Sequence, residues 1–147
     1  MILTSPIFKN GGAIPKKYTC DGGNINPELQ IQNVPDKAKS LALIMHDPDA
    51  PMLGGFTHWV VWNIDPRTTV IKTESVSPGS IEGTNSAGTV SYAGPCPPKG
   101  THRYIFYLYA LDAVLDLPAG ALAEVVRKDI EKHLLAKTEL KGTYKRT

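Results

Sequence analysis

The sequence is short of the features that assign a chain quickly. It has two cysteines, Cys20 and Cys96, too few for a disulfide framework and without zinc-type spacing. Its formal charge is only +2, which leaves no electrostatic footprint for nucleic acid. The basic residues near the end, Lys137, Lys141, Lys145 and Arg146, read as solvated surface. No apolar run approaches the roughly 20 residues a membrane helix needs. The opening MILTSPIFKNGG lacks the basic and apolar regions of a signal peptide, so a cytoplasmic protein is the expectation. There is no internal repeat, linker or low-complexity segment. Two catalytic signatures are also missing. Ser86, in Thr84-Asn85-Ser86-Ala87-Gly88, lacks the first glycine of a nucleophile elbow. Gly94–Thr101 has lysine before glycine, and its prolines remove the amides a phosphate cradle requires.

What is present reads as one domain, residues 1–147, with 41% hydrophobic and 20% charged residues. Ile2–Phe8 has strand character broken at Pro6, which suits an edge. Pro15–Pro27 is an irregular loop. Leu29 and Ile31 alternate with Gln30 and Gln32, a half-buried strand. Ser40–His46 and His58–Ile64 are apolar on both faces and read as central strands, the second with His58, Val60, Trp62 and Ile64 on one face. Thr69–Lys72 suits an edge pairing, and Ile81–Tyr92 reads as a long loop. Pro118 suits the entry to a helix from Ala119 to about Lys137, with Leu122, Val125, Val126, Ile130 and Leu134 on its apolar face. A last strand follows at Thr138–Lys145. The fold class is mainly β, with one C-terminal helix and long Pro/Gly-rich loops.

The stretch with most chemistry is Gly94–Asp112, GPCPPKGTHRYIFYLYALD. Its prolines and glycines make a stiff loop that feeds the core strand Arg103–Leu111. Alternation puts His102 and Tyr104 on one face and Arg103 on the other. His58 also stands at a strand entry, and Ser40–His46 exits into Asp47 and Asp49. If these strands are neighbours, the groups meet at one rim. Imidazole N–H groups and the Tyr104 hydroxyl would donate to an anion, a carboxylate would fix each histidine tautomer, and amides at Lys99–Thr101 would add donors. The competing readings are histidines that only pack, aspartates that only cap turn amides, or a metal site drawn from His46, His58, His102, Asp47 and Asp49. Cys96, between prolines, reads as a packed thiol rather than a nucleophile, with Cys20 nearby.

Asp47-Pro48-Asp49-Ala50-Pro51, His58 opening a strand, Gly94-Pro95-Cys96-Pro97-Pro98-Lys99-Gly100 and His102-Arg103-Tyr104 together resemble the phosphatidylethanolamine-binding protein family. The likeness is strongest to its bacterial and archaeal, Raf kinase inhibitor-like branch. It extends over Tyr18-Thr19-Cys20-Asp21-Gly22 and Gly142-Thr143-Tyr144. The resemblance implies an antiparallel β-sandwich with a small anion pocket formed by Asp47, His58, Pro98, His102 and Tyr104. Asp49, Gly94, Cys96 and Asp21 lie in the same motifs and form a secondary set. It implies a phosphate-like anion or phospholipid headgroup as ligand, no cofactor, a kinase or serine protease as partner, and a homodimer. A surface-loop protease inhibitor is the second functional reading and a phosphoester-processing enzyme the third. The family pattern also brings both cysteine loops to the pocket end, where Cys20 and Cys96 would be close enough to pair when oxidised. The chain departs from the family in having no helix after Tyr144, as many prokaryotic members do, and a short Pro51–Phe56 connection.

Overall fold

Two runs with no polar face dictate the architecture, because each must be covered on both sides. The computed structural model describes all 147 residues. In chain order the strands are β1 (Ile2–Thr4), β2 (Gly12–Ala13), β3 (Leu29–Gln32), β4 (Ser40–Asp47), β5 (Phe56–Ile64), β6 (Val70–Ile71), β7 (Ile81–Glu82), β8 (Thr101–Leu111) and β9 (Leu134–Lys145). A 3-10 turn spans Lys16–Tyr18, and the one α-helix, α1, spans Ala123–His133. A six-stranded sheet has the order β2-β9-β8-β4-β5-β7, and a three-stranded sheet has the order β1-β3-β6. Every pairing is antiparallel except β2 with β9. The predicted edge strands at Ile2 and Thr69 and the half-buried strand at Leu29 form the small sheet.

The larger core lies between the sheets. Leu3, Leu29, Ile31 and Ile71 from the small sheet meet Leu43, Met45, Trp59, Val61, Phe106 and Leu108 from the large one. A smaller core on the other face joins Ala42, Ile44, Val60 and Trp62 to Val126 and Ile130 of α1. The large sheet is thus covered twice, which is why β4 and β5 read as continuous apolar runs.

Three expectations need correction. The helix is shorter than its periodicity predicts. Leu134–Lys137 belongs to β9, where Leu134 pairs with Leu111, Ala136 with Ala110 and Lys137 with Tyr109. The ladder satisfies their backbone groups at the edge of a long sheet, which local helical preference does not outweigh. At the other end Gly120 has φ +84 and turns the chain, so the helix begins at Ala123. Only Val126 and Ile130 of the proposed face are buried; Leu122, Val125 and Leu134 are exposed. Second, Ile81–Glu82 is not loop but a short strand on the edge of β5.

The third correction concerns β5, whose side chains do not alternate evenly. Leu41 pairs with Ile64 but Leu43 with Val61, so β5 carries an extra residue there. Asn63 absorbs it at φ +55. Met45 pairs with Trp59 but His46 with Thr57, so a second extra residue falls at His58. Bulges re-aim side chains in this way. Val60 and Trp62 face the helix, whereas Ile64 and His58 turn to the inter-sheet side, where His58 packs edge-on against Tyr104 at 5.3 Å.

Asn63 holds its bulge in place by donating to Leu115 O at 2.9 Å and accepting from Leu115 N at 2.8 Å. Asn63→Ala removes both bonds and leaves a Cβ residue in left-handed backbone. We expect a loss of about 2–4 kcal/mol in urea unfolding. Asn63→Gly should lose less, because glycine accepts the backbone conformation.

Candidate functional site

β4, β5 and β8 are neighbours, so the end of one and the beginnings of the other two share a rim. Here the chain encloses a cavity of about 400 Å³. The five residues of the primary set, Asp47, His58, Pro98, His102 and Tyr104, all line it, as do Gly94 and Cys96. Ala50, Pro51, Met52 and Phe56 add an apolar wall.

The aspartate and histidines are oriented by different partners. His102 Nδ1 donates to Asp47 Oδ2 at 2.7 Å, and both side chains are buried. Asp47 Oδ1 also accepts from Asp49 N at 2.8 Å, so one carboxylate both closes the strand-exit turn and orients the imidazole. His58 Nδ1 donates to Ala93 O at 2.7 Å; its orienting group is a backbone carbonyl rather than the expected carboxylate. Both acceptors lack a proton to give, so Nδ1 carries the hydrogen in each ring and Nε2 does not in the neutral imidazole. Burial lowers the His58 pKa below the ordinary histidine value, partly opposed by Ala93 O and Asp47.

Tyr104 supplies the third polar group. Its hydroxyl is fully buried and has no hydrogen-bond partner. The Cys96 amide is its nearby backbone donor but lies outside hydrogen-bond geometry. Burial, then the negative Asp47, pushes phenol ionisation far above the neutral range, so this group is an O–H donor. An orphaned buried hydroxyl costs about 1–3 kcal/mol.

Two residues of the secondary set lie elsewhere. Asp49 does not line the cavity. It accepts from Arg103 N, Nε and Nη2 at 2.8, 2.9 and 2.8 Å on the outer surface, where alternation along β8 sends Arg103. The Arg103 hydrogen bonds hold the Asp49 carboxyl down to about 2. Asp21 is also outside, accepting from the Tyr144 hydroxyl at 2.7 Å and pairing with Arg146 at 3.0 Å. Thr101 opens β8 opposite Lys145 and has the same parity as Arg103, whose amide points away from β9 to Asp49. His46 points to the opposite face of the sheet, towards Thr57 and Arg127. No group of three or more His, Cys, Asp or Glu side chains is placed to hold a metal ion.

The cavity wall depends on a close approach of two loops. A Cβ at Gly94 would lie 2.6 Å from Asn24 Oδ1 and 2.7 Å from Tyr18 O, so only glycine fits. Gly94 N donates to Asn24 Oδ1 at 2.7 Å, and the Tyr92 hydroxyl donates to Tyr18 O at 2.8 Å. Cys96 is not a packed thiol; it forms a disulfide with Cys20, with the Cα atoms 5.5 Å apart, the pairing that the family pattern implies. The sequence reading missed Phe56, Asn24 and Ala93. Phe56 was findable, as an aromatic residue directly after Gly54-Gly55 and before the apolar run. Asn24 is one of several polar residues in its loop, and Ala93 acts only through its carbonyl, for which no side-chain signal exists.

A two-sheet sandwich with paired histidines at the strand ends now defines the class. The chain belongs to the phosphatidylethanolamine-binding protein family, whose model matches residues 4–145. It is 49% identical to a UPF0098 protein of Methanothermobacter thermautotrophicus, over 99% of both chains. Among solved structures it is similar to a phosphatidylethanolamine-binding protein homologue of Chlamydia trachomatis, with 42% identity, TM-score 0.94 and coverage of 99% and 97%. It is also similar to YbcL of E. coli, a member of the same family, with 29% identity, TM-score 0.93 and coverage of 99% and 98%. No helix of the chain is long and apolar enough to cross a membrane.

The buried histidines set a pH dependence. His58 and His46 both have pKa values lowered mainly by burial, with Arg127 adding to the effect at His46. The unfolded chain therefore binds protons that the folded chain refuses, and stability rises with pH through about 6.5. Urea midpoints for the free protein should fall between pH 7 and 5.5, and His46→Gln should flatten that fall. The lowered carboxyls of Asp21, Asp49 and Asp65 act in a separate window, losing their contribution only as pH drops through about 4 and below.

Proposed function

We propose that the pocket binds a phosphate-type monoanion, as free phosphate ester or phospholipid headgroup, and takes up a proton when it does so. The observation that carries this reading is the buried Tyr104 hydroxyl without a partner, beside two histidines whose Nδ1 protons are already committed. In the neutral rings both Nε2 atoms are acceptors, which repel an oxyanion. Protonating one ring turns its Nε2 into a charge-assisted donor, roughly twice as strong as a neutral one. The apolar wall of Met52, Phe56 and Pro98 suits an ester substituent better than bulk water.

The chain would then act by binding: an anion or headgroup occupies the pocket, and the occupied surface restrains a partner such as a kinase or protease. A partner of that kind is what the family resemblance implies.

Dimethyl phosphate keeps one negative charge across the neutral range, so its own ionisation does not enter the test. Followed by NMR titration, its affinity should fall by up to about tenfold per pH unit above the histidine range, as expected for uptake of one proton. His102→Ala should cost about 1.5–3 kcal/mol of binding, the value of a hydrogen bond to a charged group. Tyr104→Phe should cost less in binding, yet leave the free protein as stable as wild type or more so. Unchanged affinity in His102→Ala would remove the anion reading and leave the histidines as packing groups.

A further inference from the structure

The disulfide stands at an unusual place. Cys20 and Cys96 both line the cavity, and both are exposed at its mouth. They join segments separated by 76 residues. One segment, Ala93–Pro98, carries the carbonyl that fixes His58 and the Pro98 wall. The other carries Asn24, which holds Gly94.

From Cys96 to Gly100 the arch is poorly held by anything else. Pro97 and Pro98 have no amide hydrogen, and no backbone hydrogen bond outside the regular elements involves residues 96–100. The nearest backbone tie is Cys20 N donating to Pro95 O at 3.1 Å, beside the disulfide itself. Removing the covalent link leaves Cys96–Gly100, with the wall residue Pro98, held between Pro95 and the start of β8 by the packing of buried Pro97 and by no backbone hydrogen bond.

We propose that the Cys20–Cys96 disulfide is a redox latch on the anion pocket, holding the wall in its binding form when oxidised and releasing it when reduced. This rests on the anion reading above. The reductant is a dithiol. One of its thiolates attacks an exposed sulfur, the Cys20–Cys96 bond breaks, and a mixed disulfide forms. Its second thiol closes a ring disulfide and frees the remaining cysteine. The protein gains two electrons and two protons, and the dithiol loses them. Rigid loops bind more tightly than loops that must be ordered on binding, so release of the arch lowers affinity.

The test is a dimethyl phosphate titration by NMR of the full chain, oxidised and after dithiothreitol, with thiols counted in each state. The Cys20→Ser, Cys96→Ser double variant serves as a fixed reduced form. The latch predicts about tenfold weaker binding on reduction, close to 1.4 kcal/mol. The double variant should match the reduced wild type and ignore reductant, and nitrogen-15 relaxation at Cys96, Lys99 and Gly100 should report greater backbone motion on reduction. Equal affinity in both redox states, with histidine NMR signals intact, overturns the latch and leaves the anion site standing. No binding in either state overturns both. If the double variant fails to fold, the wild-type comparison with and without dithiothreitol still decides between these outcomes.

Discussion

The hydrogen bond from His102 Nδ1 to Asp47 Oδ2 is the contact on which the rest of the site depends. It ties the end of β4 to the start of β8 with two side chains that are almost wholly buried. Removing either partner leaves the other polar group buried without compensation, a cost of about 1–3 kcal/mol for a neutral group and more for a charge. The same bond fixes which nitrogen of His102 carries its hydrogen, and so decides what the pocket offers a ligand. Asp47 meanwhile closes the turn to Asp49, which carries the chain out of the sheet and into the apolar wall. Geometry, turn and protonation are thus set by one carboxylate.

The sheet places that carboxylate. β4 sits between β8 and β5, so its last residue is bordered by the first residues of both neighbours. Simple alternation would put His58 on the helix side, away from Asp47. The extra residue in β5 at that point turns the ring into the pocket, where Ala93 O meets its Nδ1. The bulge therefore costs one ladder position and supplies the second imidazole. The loop carrying Ala93 is in turn drawn close by Gly94 and Asn24, so the site depends on tight backbone approach as much as on side-chain chemistry.

Much of this was legible in the residues. The central strands were visible because burial on both faces leaves no polar alternation, and the His102/Tyr104 pairing followed from the two-residue period. Asp47, His58, Pro98, His102 and Tyr104 do converge. Three things were not legible, for physical reasons. The bulges in β5 depend on partner register, which a single strand's sequence does not encode, so His58 and Ile64 were placed on the wrong face. The end of α1 was lost to β9, because pairing with β8 is a long-range contact that overrides helical periodicity. Asp49 and Asp21 sit in the same motifs as the pocket residues, but each is claimed by an arginine outside it.

The central claim is that two committed Nδ1 protons make the empty pocket an acceptor and that an anion brings a proton with it. Nitrogen-15 NMR of the imidazole rings at pH 7.5 tests this most directly. The free protein should show Nδ1 protonated and Nε2 unprotonated in both His58 and His102. Saturating dimethyl phosphate should move Nε2 of one ring to the protonated range. An Nε2-protonated neutral tautomer in the free protein, or an Nε2 that stays unprotonated in both rings at saturation, would contradict the account.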